Sequence, residues 1–143
     1  MNIEPAIIND IDSFVTIEFS NMASLFQTNP EWNIDFVQKL VHENISRAWK
    51  LIENGLLGFY YWLPDEDCAI LISIQIPKAL QSNGYGTQLL QHFQEQARKH
   101  GYSKVGLAVH TNNPAYNWYL KNGFKYLEDD GPNCHVMIKK LKL

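Results

Sequence analysis

The sequence predicts an α+β fold, with a mixed, mostly antiparallel central sheet of about seven strands flanked by about four helices. Segments with strand character and segments with helical spacing of apolar residues follow one another in the order β-α-α-β-β-β-α-β-α-β-β. Turn signals at Asn54-Gly55 and at Asp129-Asp130-Gly131-Pro132 predict hairpins. Hairpins join antiparallel strands, so they favour a mixed sheet over a purely parallel one.

Length and composition indicate a single domain that spans residues 1–143. The net charge of -3 gives no basic surface, so neither nucleic acid nor an anionic membrane is expected as a partner. No segment approaches the ~20 apolar residues of a membrane span, and the N-terminus lacks a signal pattern, so a cytoplasmic protein is expected. Cys68 and Cys134 form no C-x-x-C pattern and predict reduced thiols, with neither a disulfide nor a metal site.

The first half of the chain predicts two helices followed by a hairpin. A strand over Ile3 to Ile8 precedes a helix for which Asn9 is the expected cap. The inner stripe of that helix contains Ile11, Phe14, Val15, Glu18 and Met22. A second helix follows Asn33, and its inner stripe contains Phe36, Val37, Leu40, Val41 and Ile45. The hairpin strands are predicted over Ala48 to Glu53 and Leu56 to Leu63.

The next strand leads into a glycine loop. One face of this strand carries Ile70, Ile72, Ile74 and Ile76. The other face is apolar at its start and polar at its end, with Ala69, Leu71, Ser73 and Gln75. The chain then passes through Gln81-Ser82-Asn83-Gly84-Tyr85-Gly86-Thr87 into an amphipathic helix. Two glycines let the main chain approach a ligand, and free amides at a helix N-terminus favour a phosphate or pyrophosphate.

The remaining elements alternate between helix and strand. The helix after the loop buries Leu89, Leu90, Phe93 and Ala97 and ends at Gly101. Lys104 to His110 is the next strand. A short helix has Asn113 as its cap and Pro114 at its first position, packs Ala115, Trp118 and Tyr119 inward, and ends at Gly123. The last two strands are predicted over Phe124 to Glu128 and His135 to Lys142.

The glycine loop alone leaves several interpretations open. A Walker loop needs a Lys and then a Ser or Thr after the last glycine, and Thr87-Gln88 supplies no such lysine. A dinucleotide fold needs a third glycine and parallel βαβ units, which the hairpins disfavour. A tight strand-to-helix turn without a ligand, and a mononucleotide site in an unrelated α/β domain, both remain compatible with the two glycines.

A second motif accompanies the glycine loop. Asn112 stands three residues before Ala115, Tyr119 stands four residues after it, and Gly123-Phe124 follows. The first motif, Gln81 to Gly86, has a Gln, two residues, a Gly, one residue and a second Gly. In this order, separated by one helix and one strand, the two motifs resemble those of the GCN5-related N-acetyltransferases. The resemblance covers nearly the whole chain, because the order of the elements also matches.

The resemblance implies direct transfer of an acetyl group from acetyl-CoA, a co-substrate, to a primary amine of a small molecule or protein. It implies that the cofactor contacts Ile74, Ile76, Gln81, Ser82, Asn83, Gly84, Tyr85, Gly86, Thr87, Asn112, Ala115 and Tyr119. In this interpretation a backbone N–H near Ile76 stabilises the developing oxyanion, and Tyr119 is the general acid to the CoA thiolate. Gln81, where Arg is commoner, and Lys78, where Pro is frequent, depart from the family pattern.

Two residues are candidates for the base that deprotonates the amine. His110 is the tentative base, because it ends the strand before Asn112 and a histidine titrates near neutrality. Its simpler role is that of a polar residue at a strand end. Glu18 is the second candidate, as an acid on an otherwise apolar stripe. An acid in that position more often lies at the edge of the stripe, in water.

The acceptor and the assembly are less defined. Asp65-Glu66-Asp67 could attract a cationic amine, although such a cluster is usually a solvated turn. A non-catalytic acyl-CoA sensor or interaction module of the same fold is the alternative function. Dimers are frequent in the family, so the resemblance allows a homodimer, with the last strand, Val136 to Leu141, exchanging between subunits or pairing at an edge.

Overall fold

The computed structural model describes residues 1–27 and 29–142. In that part of the chain the helices are α1 (Ile11–Phe26), α2 (Ile34–Asn44), α3 (Tyr85–Lys99) and α4 (Ala115–Lys121). The strands are β1 (Asn2–Pro5), β2 (Ala48–Ile52), β3 (Leu56–Asp65), β4 (Cys68–Gln75), β5 (Lys104–His110), β6 (Lys125–Asp130) and β7 (Cys134–Lys140). Neighbouring strands follow the order β1-β2-β3-β4-β5-β7-β6. The predicted α+β fold and its order of elements are confirmed.

Strand pairing explains the mixed character of the sheet. The pairs β1–β2, β2–β3, β5–β7 and β6–β7 are antiparallel, while β4 and β5 are parallel, from Cys68 opposite Lys104 to Leu71 opposite Leu107. The expectation that the last strand lies at an edge is wrong. Both sides of β7 are paired, since β6 and β7 form a hairpin whose second strand lies beside β5. The edge strand at this end is therefore β6.

The chain divides into two compact units, and each is described separately. The N-terminal unit comprises Met1–Trp62 and Ser73–His92. Its core contains the stacked rings of Phe14 and Phe59, whose centroids lie 3.9 Å apart. Val37 and Val41 of α2 are also fully buried, as are Leu89 and Leu90 of α3. Burying each such side chain contributes roughly 1.5–3 kcal/mol to stability.

The C-terminal unit comprises Leu63–Ile72 and Phe93–Leu143. The paired residues Leu107 and Met137 are buried at its centre, together with Phe124. Helix α3 ends in this unit at Lys99, and Gly101 just after it has a φ of +85°, the left-handed conformation that glycine adopts without strain. The Tyr102 amide then donates to the Ala97 carbonyl at 3.0 Å, which satisfies a carbonyl of the last turn.

Two predictions in the first half of the chain need correction. Strand β1 ends at Pro5, and a 3₁₀ turn over Ile8–Asp10 leads into α1. The cap is not Asn9: the Asp10 carboxylate accepts the Ile7 amide at 2.8 Å and pairs with the Lys50 ammonium at 2.9 Å. Phe36 was expected on the inner stripe of α2 but is 43% exposed.

Other local signals are confirmed. The Asn33 side chain accepts the Phe36 amide at 3.0 Å and caps α2. Helix α4 begins one residue later than predicted, at Ala115, and the Asn113 side chain accepts the Ala115 amide at 2.9 Å. In the described residues no helix combines the length and apolar character needed to cross a membrane.

Candidate functional site

The glycine loop joins β4 to α3 in the N-terminal unit. A 3₁₀ turn over Lys78–Leu80 precedes it, and α3 already begins at Tyr85, so Gly86 and Thr87 lie in the first turn of the helix. Gln88 closes an α-helical hydrogen bond, donating to the Gly84 carbonyl at 3.2 Å. The first amides of α3 have no acceptor within the helix. Together with the helix dipole, they form an anion-binding surface at this end of α3.

Two residues of the loop have a left-handed backbone conformation. Ser82 and Gly84 have φ values of +70° and +82°. Successive amides in turn conformations that include left-handed residues can point to one side and form an anion nest. A Cβ on Gly84 would meet no protein atom within 4 Å, so the space beside it is open. Ser82 is strained in this conformation by about 1–2 kcal/mol, and such strain concentrates at functional sites.

Side chains tie the loop to the end of β4. The Gln81 side-chain amide donates to the Ile76 carbonyl at 3.0 Å, and the Asn83 side-chain amide donates to the Leu80 carbonyl at 2.9 Å. Gln81 therefore holds the loop against the residue that follows β4. An arginine at position 81 would bring a positive charge here, whereas Gln81 makes a hydrogen bond without a charge.

The two faces of β4 near the loop differ in an unexpected way. Ile74 and Ile76 are only half-buried, whereas Ser73 and Gln75 are buried. Polar residues are buried when they have hydrogen-bond partners, so this face requires partners from another element. Helix α1 supplies them.

A polar group of five residues connects α1 to β3 and β4. We call it the Glu18 cluster, and it contains Glu18, Asn21, Tyr61, Ser73 and Gln75. Glu18 is only 5% exposed, and its Oε1 accepts the Tyr61 hydroxyl at 2.7 Å and the Ser73 hydroxyl at 2.6 Å. Burial raises the pKa of Glu18, while the hydrogen bonds from Ser73 and Tyr61 act in the opposite direction.

The rest of the cluster reaches the end of β4. The Gln75 side-chain amide donates to the Ser73 hydroxyl at 2.9 Å. The Asn21 side-chain amide donates to the Gln75 side-chain oxygen at 3.1 Å and to the Ile76 carbonyl at 2.9 Å. The Ile76 carbonyl thus accepts from both Asn21 and Gln81. An acidic residue on such a helix more often lies at the solvated edge of the apolar stripe. Glu18 is instead buried.

Tyr119 lies in the C-terminal unit, on α4. Its ring is 7% exposed and packs against Phe124 at a centroid distance of 5.6 Å and against Trp118 at 5.1 Å. Burial raises the pKa of the Tyr119 hydroxyl. This hydroxyl makes no hydrogen bond within the described residues, although every fully enclosed side-chain nitrogen or oxygen there has a partner. The hydroxyl oxygen is therefore not fully enclosed, although the residue is buried.

His110 ends β5 in the same unit and is buried. Its Nδ1 accepts the Asn112 amide at 3.1 Å. The neutral ring accordingly carries its proton on Nε2. Asn112 is exposed, and Ala115 is half-buried at the start of α4.

The predicted site residues fall into both units. Ile74, Ile76 and residues 81–87 belong to the N-terminal unit, where Gln81 contacts Ile76. His110, Asn112, Ala115 and Tyr119 belong to the C-terminal unit, where His110 contacts Asn112. Within the ranges 1–27 and 29–142, no group of three or more His, Cys, Asp or Glu residues is arranged to hold a metal ion.

The sequence interpretation missed four of the residues around Glu18. Asn21, Tyr61, Ser73 and Gln75 had no assigned role. Two signals were present: Asn21 lies three residues after Glu18 on one helix face, and β4 changes from apolar to polar on one face. Neither signal says that the two polar surfaces meet.

The acetyltransferase (GNAT) family model matches residues 13–124, which is most of the chain. The chain belongs to the GNAT family. This match includes the glycine loop, α3, β5 and α4, and it confirms the resemblance drawn from the two motifs.

Individual proteins of the GNAT family are similar to the chain at low sequence identity. The amino-acid acetyltransferase of Neisseria meningitidis (serogroup A / serotype 4A, strain DSM 15465 / Z2491) is 27% identical over 90 residues, which is 54% of this chain and 20% of that protein. The chain thus matches about a fifth of this curated relative's length.

Solved structures support the GNAT fold. The PaiA N-acetyltransferase from Thermoplasma acidophilum, in complex with coenzyme A, is 19% identical with a TM-score of 0.78, over 97% of this chain and 98% of that chain. The N-acetylglutamate synthase from Neisseria gonorrhoeae, complexed with coenzyme A and N-acetyl-glutamate, is 20% identical with a TM-score of 0.81, over 99% of this chain and 35% of that chain.

Proposed function

We propose that this GNAT protein is an acetyl-CoA-dependent N-acetyltransferase that moves the acetyl group directly to a primary amine. The observation that carries the proposal is the loop before α3, where positive φ values at Ser82 and Gly84 form an anion nest at a helix N-terminus. Two of the solved GNAT structures contain coenzyme A, whose pyrophosphate is the kind of group that such a nest binds.

Residues on either side of the loop would hold the rest of the co-substrate. The amides of residues 82–87 bind the pyrophosphate, with Gln81 fixing the loop through Ile76. Ile74 and Ile76 present a half-buried apolar surface to the pantetheine arm. Asn112, Ala115 and Tyr119 are assigned to the co-substrate because they match the second family motif.

Tyr119 supplies the acid in this proposal. A thiol titrates near ~8.5 and a phenol near ~10, so the thiolate is a tolerable leaving group that needs only a hydrogen bond or a proton as it departs. Burial of Tyr119 raises its pKa, and the hydroxyl consequently stays protonated across the neutral range. Its lack of a partner within the described residues leaves it able to donate.

The amine requires a base. A lysine-like ammonium with a pKa of ~10.4 loses its proton at pH 7 at a cost of about 4–5 kcal/mol. His110 is the base proposed from the sequence. In the structure its Nδ1 lone pair accepts the Asn112 amide, so protonation of Nδ1 would break that hydrogen bond.

The test is thiol release from acetyl-CoA with a panel of primary amines: L-glutamate, n-butylamine, spermidine and a peptide with a free N-terminal amine. Thiol release that depends on one of these amines supports the proposed N-acetyltransferase activity. Acetyl-CoA binding in a calorimeter without release for any amine would favour the acyl-CoA sensor. Binding of ATP with no response to acetyl-CoA or CoA would remove the proposal.

A further inference from the structure

Glu18 is a buried carboxylate whose hydrogen-bond partners are all uncharged. Its partners are the hydroxyls of Tyr61 and Ser73. The ion pairs found within the described residues all involve other carboxylates. A carboxylate removed from water without a cation is costly, so a ligand that brings a positive charge is favoured at this position.

One oxygen of this carboxylate is available to such a ligand. Both hydroxyls donate to Oε1, and Oε2 accepts no hydrogen bond from the described residues. Since every fully enclosed side-chain oxygen or nitrogen in residues 1–27 and 29–142 has a partner, Oε2 is not fully enclosed by the protein. One carboxylate oxygen thus accepts two hydrogen bonds, while the other accepts none from the described residues.

The cluster holds this carboxylate in a defined orientation. The Gln75 amide donates to Ser73, which leaves the Ser73 hydroxyl proton for Glu18. The Asn21 amide in turn fixes Gln75 and binds the Ile76 carbonyl. Glu18 is therefore coupled to the end of β4, where the proposed function puts the thioester carbonyl.

We propose that Glu18 binds the ammonium group of the acceptor through Oε2 and takes one of its protons. The inference rests on the proposed function and names its base. The proton passes from the ammonium to the carboxylate, which leaves a neutral amine and a carboxylic acid. The amine nitrogen then bonds to the thioester carbon and the carbon–sulfur bond breaks. The thiolate leaves with that electron pair and is protonated by the general acid of the proposed function, and the acetylated nitrogen releases its second proton to solvent.

The electrostatics of the cluster fit this role. The groups that face Glu18 are Tyr61 from β3 and Ser73 from β4, with Gln75 and Asn21 behind them. Burial raises the pKa of Tyr61, which therefore stays neutral and donates. Burial likewise raises the pKa of Glu18, and a carboxylate with a raised pKa retains the amine's proton better than an exposed one.

The test compares two nucleophiles that differ in their need for a base. At neutral pH n-butylamine is protonated, whereas hydroxylamine is mostly uncharged. We expect Glu18→Gln, which preserves the shape and the acceptor oxygen, to lower kcat/KM for n-butylamine by ~10²-fold and to leave hydroxylamine within ~2-fold of wild type. The matched control is Glu43→Gln, an exposed acid on α2 paired with Lys39, which should change neither value.

Three results would overturn the inference. An equal loss with both nucleophiles means that Glu18 supports the structure only. Wild-type rates with both mean that it has no part in the reaction. A selective loss in His110→Asn but not in Glu18→Gln assigns the base to His110.

A second measurement needs neither turnover nor a stable variant. With CoA in place of acetyl-CoA, n-butylammonium should shift the ¹³C carboxyl resonance of Glu18 and lower its pKa, because a nearby cation favours the charged form. No shift at a saturating concentration overturns the inference. A shift without thiol release from any amine supports the amine site and contradicts the proposed function instead.

Discussion

Replacing Gly84 by alanine tests the anion nest against a control at the other end of the same helix. Gly84 precedes α3 with a φ of +82°, and Gly101 follows it with a φ of +85°. At both positions an added Cβ would meet no protein atom within 4 Å. The two substitutions therefore impose the same backbone strain and no clash.

The strain has a predictable size. An alanine in the left-handed region costs about 1–2 kcal/mol. For a chain of this length each kcal/mol lowers Tm by roughly 2–4 °C, so both variants should melt about 2–8 °C below wild type. Calorimetric or circular-dichroism melts without ligand measure this loss.

Coenzyme A affinity should separate the two variants. The Cβ of Gly84→Ala occupies the open side of the nest and displaces one amide contact to the pyrophosphate. A hydrogen bond to a charged group contributes about 1.5–3 kcal/mol, so the Kd for CoA should rise roughly 10- to 100-fold. Gly101→Ala should bind CoA like wild type. Equal Kd values in the two variants would refute the assignment of the loop to the pyrophosphate.

Further predictions concern two titratable groups, Tyr119 and Glu18. Tyr119→Phe should lower kcat by ~10²-fold with an almost unchanged Kd for acetyl-CoA, and wild-type turnover would contradict its role as acid. In wild type the raised pKa of Tyr119 should keep its hydroxyl protonated up to pH 10. A pH–rate profile with n-butylamine should therefore show no loss of rate from Tyr119 ionisation below that pH. The raised pKa of Glu18 makes the folded state hold a proton more tightly than the unfolded state, so its contribution to stability falls as pH rises from 4.5 through the folded pKa. Glu18→Gln removes this pH dependence. In urea unfolding, the free energy of unfolding of the variant relative to wild type should therefore be higher at pH 7 than at pH 4. The same difference between variant and wild type at both pH values would contradict the prediction.

Most elements of the fold were predictable because their signals are local. Asn33 caps α2 through a hydrogen bond to a residue three positions later, and a sequence shows that spacing directly. The stripe of α3 is equally local, and Leu89, Leu90 and Phe93 are buried as predicted. The glycine loop was recognisable for the same reason, since its amides belong to consecutive residues.

The errors arose where the outcome depends on distant parts of the chain. Phe36 has the spacing of a core residue, yet it is 43% exposed. The position of β7 inside the sheet depends on β5 accepting it as a neighbour. The motif residues of the C-terminal unit were found through family resemblance, and their roles remain predictions.

The Glu18 cluster shows why the site itself was harder to predict than the fold. Ser73 and Gln75 contradict the rule that the buried face of a strand is apolar, and Glu18 contradicts the same rule on α1. Each exception taken alone indicates a solvated position. Together they satisfy one another, because the hydrogen bonds run from Asn21 through Gln75 and Ser73 to Glu18. Such a network stabilises the fold less than apolar packing would, because the carboxylate is largely buried and has no cationic partner among the described residues. The cationic acceptor proposed above would supply the missing charge in the core of the N-terminal unit.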